Sequence, residues 1–243
     1  MTGLAPVTGC EIVALPWAAG VDGCRAGWFV VLVEIRSGNA GEPQHVICPS
    51  FKDTLRLLPR PRIIAVDVPM GLLTQRVPGG RNCDQGAREL LGAPRASSVF
   101  TPPIRGALNA TSYENARQHG MSKQTFAILP KIREVDALMT PELQETVREV
   151  HPEICFWALA GHPMEHSKRT PRGKNERLEG LAPEFPGLRD SLQSLRLPGV
   201  GQDDILDAYA AAWTAIRILN SQAKRIPEEP GTDEEGLRME IWY

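Results

Sequence analysis

An α/β domain built on a mixed sheet is predicted by three features of the chain. WAAGVD (17–22), WFVVLVEI (28–35) and QHVIC (44–48) are strand-like runs joined by short glycine-rich turns, which implies an antiparallel meander. RIIAVDV (62–68) is almost continuously apolar, the pattern of a strand covered on both faces. DDILDAYAAAWTAIRILN (203–220) is the clearest helical segment.

The elements follow in order. Residues 1–16 read as a leader. They have no basic start and contain Glu11 and Pro16, unlike a secretory signal. After the meander, Ser50 is a helix N-cap, with Asp53 three residues on and Leu55 and Leu58 beyond; Pro59 and Pro61 end that helix. This helix makes a crossover, so the 62–68 strand runs parallel to an earlier one. Residues 70–145 are crowded with glycine, proline and arginine and read as an insertion of two or three helices over a site. VREVHPEI (147–154) holds a fifth strand, and Pro152 starts a helix through Leu159. Residues 161–202 read as a loop-rich, basic second insertion. GLRMEIWY (236–243) alternates as a closing edge strand after an acidic linker, PEEPGTDEEG (227–236). The expectation is one domain over 17–243: a five-stranded mixed sheet flanked by helices, with insertions at about 70–145 and 161–202.

Composition narrows the function. The chain has 243 residues, enough for a core without metal or disulfide support. Its 27 basic and 29 acidic residues give a net charge of −2, which excludes a globally basic coat but leaves room for a local basic groove. No apolar run reaches membrane-spanning length. Five cysteines at 10, 24, 48, 83 and 155 include no CxxC pair, which argues against a disulfide framework or a thiolate zinc site and fits a reducing, cytoplasmic setting.

Three carboxylates interrupt apolar surroundings. Asp22 ends the first strand, Asp67 lies in the fourth between Val66 and Val68, and Asp207 lies in the last helix between Leu206 and Ala208. Asp203 and Asp204 are one turn before Asp207 on the same face. A buried carboxylate needs a cation, donors or a raised pKa. If the fourth strand pairs with the first, Asp22 and Asp67 both lie near strand carboxyl ends at a switch point, where α/β sheets form their sites. Grouped hard oxygens select magnesium or manganese, and two such ions roughly 4 Å apart can activate water for phosphodiester cleavage. Taken singly, Asp22 is also a turn residue, and Asp203 and Asp204 are ordinary helix N-terminal acids.

The segments GVDGCRAGW (20–28), IAVDVPMGL (64–72), RNCDQGAREL (81–90), SSVFTPP (97–103), PKIREVDALM (130–139), EVHPE (149–153) and DDILDAYAAAWTA (203–215) resemble the bacterial and archaeal family named domain of unknown function 429. The likeness covers about residues 18–243. It implies an RNase H-like fold and a nuclease activity. Within the wider superfamily, the acidic positions are similar to the metal site of RuvC-type Holliday junction resolvases. That likeness implies Asp22, Asp67, Asp204 and Asp207 as metal ligands. The basic insertion and the HPE segment depart from the resolvase pattern.

Glu153 follows Pro152 at a helix start. It is either a dipole-favoured first-turn acid or a fifth metal ligand or base, with His151 beside it as a proton shuttle or a structural residue. His162 and His166 lie four apart but in a Gly/Pro loop, which makes a weak zinc pattern. Basic residues segregate into HSKRTPRGKNER (166–177) and a group that includes Arg81 and Arg88. Arg81, Arg88, Lys131, His151, Lys168, Arg172 and Arg177 are the candidate substrate contacts, because arginine forks suit phosphates. The leading expectation is a Mg²⁺- or Mn²⁺-dependent nuclease or phosphodiester hydrolase acting on a nucleic acid or nucleotide. Its alternatives are a nucleotide-dependent enzyme of the actin and sugar-kinase type, or a non-catalytic scaffold whose acids are satisfied by basic residues of the insertions.

Overall fold

The computed structural model describes residues 15–243, so the leader lies outside the described residues except for its last two positions. Strands β1 (Trp17–Cys24), β2 (Gly27–Arg36), β3 (Asn39–Ala40) and β4 (Gln44–Cys48) form the meander. Gly27, at φ 129°, lets the β1–β2 turn close on Arg25 and Ala26 alone, so β1 runs two residues past Asp22 rather than ending there. Helix α1 (Phe51–Thr54) carries the expected capping box, with the Ser50 and Asp53 side chains each bonding the other's backbone. It stops short of the predicted end: Leu58 is 86% exposed and gives a longer helix no buried face.

Strand β5 (Ile63–Val66) pairs parallel with β1, and β6 (Val147–Glu149) pairs parallel with β5. The main sheet has the order β3-β2-β1-β5-β6, with β4 also on β2. It has six strands rather than five, because two-residue β3 adds to the edge. Four antiparallel strands, β1 to β4, followed by two parallel ones make a mixed RNase H-like sheet.

The first insertion holds α2 (Asn82–Leu91), α3 (Tyr113–Gln118) and α4 (Lys123–Asp136), with short 3-10 turns. After β6 comes α5 (Pro152–Ala160), with Pro152 in its first turn. The second insertion is more ordered than expected. It forms α6 (Pro171–Leu181) and α7 (Leu188–Ser194), whose largely polar sequences carry little apolar periodicity. Helix α8 (Gln202–Leu219) follows, buried from Ile205 to Ile216.

The C-terminal segment also differs from expectation. Only Ile241–Trp242 forms a strand, β8, and it pairs with β7 (Arg225–Ile226) in a separate ribbon. It touches the main sheet through one bridge, Val150 to Trp242. The acidic stretch before it is no free linker. Asp233 accepts from Leu72 N at 2.9 Å and from Arg105 Nη2 at 2.5 Å, which anchors the tail to the first insertion.

Strand alternation sorts the core into two layers. Ala18, Phe29, Val31, Val33, Ile63 and Ala65 face α8, α5, α6 and α7. Ala19, Val21, Trp28, Val30, Ile64 and Val66 face α1 and α4. Gly20 lies on the α8 face. A Cβ there would stand 2.1 Å from both Ala208 O and Ala212 N, so glycine and the alanine row of α8 together let the helix backbone lie directly against the sheet. The described cysteines are buried and unpaired, and among the described residues no helix is long and apolar enough to cross a membrane.

Candidate active site

Asp22 and Asp67 reach the same place by register. Val21 of β1 pairs with Val66 of β5, and Asp67 N donates to Val21 O at 3.1 Å, so the two aspartates occupy equivalent positions on neighbouring parallel strands. Asp67 is the first residue after β5 rather than within it, because the chain bends there. By alternation both fall on the α8 face. The close packing of α8 at Gly20 sets Asp207 against them. Asp204 lies one turn earlier, where it accepts from Gly201 N at 2.8 Å as a first-turn cap. Glu153 enters from the first turn of α5.

These five carboxylates line one cavity of about 450 Å³. Asp22, Asp207 and Glu153 are buried, and Asp67 and Asp204 half-buried. Trp28, Phe100, Ser97 and Ser98 share the wall with Lys131, His151, Lys168 and Arg169. Burial raises the carboxyl pKa of Asp22 well above the usual range, and repulsion from Asp67, Asp207 and Asp204 adds to it. Burial also pushes Asp67 and Asp207 up to about 6, although Lys168 opposes the shift in both. One lysine therefore does not balance the cluster.

The second insertion supplies the cations now in place. Lys168 Nζ donates to Asp207 Oδ2 at 2.5 Å. Burial alone would loosen the lysine proton, but Asp207, Asp67 and Asp22 more than reverse that and keep an ammonium there. Arg177, 1% exposed, donates to Glu153 Oε1 at 2.5 Å, while Glu153 Oε2 is buried without a partner. In this arrangement no three Asp, Glu, His or Cys side chains among the described residues converge closely enough to hold a metal ion. The donor set, hard oxygens with one orphaned, suits Mg²⁺ or Mn²⁺ in chemistry. Ligation at Asp207 requires Lys168 to give way.

The basic candidates separate. Lys131 Nζ donates to Gly27 O at 2.6 Å and lies 4.4 Å from the Trp28 ring centre, at the cavity wall; burial lowers its pKa. His151 also lines the cavity. Its Nε2 is 3.4 Å from Ser98 O, its Nδ1 has no partner, and burial keeps it neutral at pH 7. Four others lie elsewhere or are committed. Arg81 is buried between Asp84 and Glu149, at 2.7 and 2.6 Å, and belongs to the core rather than to a substrate. Arg88 braces its own loop through Val99 O and Thr101 Oγ1. Arg172 lines a different surface hollow with Glu165 and Glu176. Arg177 holds Glu153. Apart from Asp84, three residues from Arg81, these partners come from distant segments or irregular turns and leave no sign in the local spacing.

Several lining residues carried little signal as sequence. Ser97 and Ser98 sit on a 3-10 turn, Arg95–Ser98, that forms part of the roof. Arg95 donates to Met164 O at 2.6 Å and Glu165 O at 2.8 Å, which joins the two insertions above the carboxylates. Trp28 reads as an ordinary strand aromatic. Its indole bonds Glu134 at 3.0 Å and positions α4 beside the cavity.

An RNase H-like sheet with a carboxylate-lined cavity at the carboxyl ends of β1 and β5 defines the class. The chain belongs to the family described as "Protein of unknown function (DUF429)", whose sequence pattern matches residues 20–232. No curated protein matches it. Two solved structures match most of the chain at low identity and low TM-score. "T. thermophilus RuvC in complex with Holliday junction substrate" is 14% identical, with a TM-score of 0.35, covering 85% of this chain and 95% of that one. "Thermus thermophilus RuvC structure" is 15% identical, with a TM-score of 0.36, covering 86% and 98%.

Proposed function

We propose that this protein is a divalent-metal phosphodiester hydrolase, a nuclease, with Asp22, Asp67 and Asp207 as the Mg²⁺ or Mn²⁺ ligands and Asp204 beside them. The observation that carries the reading is the convergence of carboxylates from β1, the end of β5 and α8 in one open cavity, with an excess of negative charge that Lys168 only partly offsets. A bound ion would supply a water acidified toward neutral pH and a counter-charge for the leaving oxygen. The chain's own groups do the rest. Lys131 and Lys168 hold a phosphate over the carboxylates. Glu153, with its free Oε2, orients the attacking water. His151, neutral at pH 7, takes its proton at the unpartnered Nδ1.

A second reading has its own observation. The ion pairs Lys168–Asp207 and Arg177–Glu153 neutralise two of the acids from within, as a non-catalytic scaffold would. Calorimetric titration with Mn²⁺ on wild type, Asp67→Asn and Asp207→Asn, followed by cleavage assays on single- and double-stranded DNA and RNA, separates the two. Binding lost in both variants, with cleavage lost alongside, supports the hydrolase. A folded parent that binds no Mn²⁺ and cleaves none of these substrates leaves the scaffold.

A further inference from the structure

Beside the carboxylate cavity lies a second recess of about 420 Å³, between α6, α7 and the start of α8. Arg169, Lys174, Arg189 and Arg196 line it, together with Leu178, Leu192 and Leu206. Its lining contains no carboxylate, in a chain whose net charge is −2. Arg189 is engaged by Glu179. Arg169, Lys174 and Arg196 take part in no ion pair among the described residues. Arg169 lines both recesses, so the two lie side by side with this one guanidinium between them.

We infer that the two recesses form the track of a single-stranded nucleic acid: Arg169, Lys174 and Arg196 hold phosphates of the strand whose next phosphate lies over Asp22, Asp67 and Asp207. The inference rests on the hydrolase reading and adds the substrate class to it. Charge selects a polyanion, and guanidinium forks match phosphate oxygens in particular. The apolar floor of Leu178, Leu192 and Leu206 takes sugar or base. In the first recess, half-buried Phe100 offers a base a ring face. Size selects a single strand. Recesses of about 420 and 450 Å³ are on the scale of small-ligand pockets and admit a nucleotide, whereas a duplex can only lie across their mouths. The Arg95 tie between the two insertions spans one side of the first recess and narrows its mouth toward a duplex.

The test is fluorescence anisotropy in EDTA, so that binding is read without cleavage. The probes are fluorescein-labelled oligothymidylate of about 20 nucleotides and a duplex of equal length. Wild type is compared with the triple variant Arg169→Ala, Lys174→Ala, Arg196→Ala, and with Arg172→Ala, which lines the separate hollow. Arg169, Arg196 and Arg172 are exposed and Lys174 is half-buried without an ion pair, so little change in melting temperature is expected. The strand should bind more tightly than the duplex. The triple variant should lose about 30-fold in strand affinity, and its slope of log affinity against log salt should shrink by about 2, near 0.7 for each lost contact. Arg172→Ala should change affinity less than about twofold. Tighter binding of the duplex, unchanged affinity in the triple variant, or equal competition by polyglutamate would each overturn the inference. Strand binding through the track with no Mn²⁺ binding would keep the track and remove the hydrolase. Mn²⁺ binding with an indifferent triple variant would do the reverse.

Discussion

Lys168 Nζ lies 2.5 Å from Asp207 Oδ2, and so a lysine from the second insertion stands where a cation bound by the α8 aspartate would stand. The lysine side chain is 40% exposed and the aspartate 3%, so the contact can open toward solvent from the lysine side.

Competition for that position predicts opposite effects on metal and on stability. Lys168→Met should tighten Mn²⁺ binding by about tenfold, because a neighbouring positive charge and an occupant are both removed. The metal-free protein should lose only about 1–2 kcal/mol at pH 7, since the exposed side of the pair is screened. Calorimetry and denaturant titration read the two. Weaker Mn²⁺ binding in the variant would mean that Lys168 positions the carboxylates instead of competing at them.

The raised carboxyls predict a pH dependence with a definite sign. Asp67 and Asp207, pushed up to about 6 by burial, hold protons more tightly in the folded chain than in the unfolded one. Their contribution is full below the unfolded value near 3.8, and it is lost as pH rises through about 6. In EDTA, Asp207→Asn should therefore gain stability relative to wild type as pH rises from about 4 to about 6, by up to about 1.4 kcal/mol per pH unit for each proton removed from the balance, and little further above that. Thermal melting across that range checks it, and parallel curves would contradict it.

Gly20 is where the site is built. A methyl group there meets the backbone of Ala208 and Ala212, not a movable side chain. Gly20→Ala should cost about 3 kcal/mol or more, either by preventing folding or by pushing α8 outward. Where the variant folds, Mn²⁺ affinity should fall too, because Asp207 withdraws from Asp22. Denaturant midpoint and calorimetry report these. Loss of stability with metal affinity intact would show that the helix is not what brings the acids together.

Arg81 should behave as a core residue. Arg81→Met leaves Asp84 and Glu149 buried without their partner, at a cost of about 3–5 kcal/mol. Arg81→Lys should rescue little, since one ammonium cannot reproduce forked bonds to two carboxylates and to Met70 O. Strand affinity per folded molecule should be unchanged in anisotropy. A selective loss of affinity at full stability would return Arg81 to the substrate.

The sequence by itself determined the strands of the meander, the parallel strand at Ile63–Val66, α5 beginning at Pro152 and α8, because each rests on local periodicity and cap chemistry that neighbouring residues already contain. It also singled out Asp22, Asp67 and Asp207, since a carboxylate within apolar surroundings stands out without knowledge of its neighbours. What bonds the arginines was decided only in three dimensions. Arg81, Arg88 and Arg177 look alike as solvent-facing positive charges in a linear chain, and their carboxylate and carbonyl partners lie up to 68 residues away, as for Arg81 and Glu149. The helices of the second insertion were hidden for a related reason. Their polar sequences show little apolar stripe, and α6 is held by packing and by the buried Arg177–Glu153 pair. Lys168 was legible as a basic residue, but its place among the acids was not: a charge pair between separate elements is created by the packing of the segment before α6 against α8, which no local pattern records.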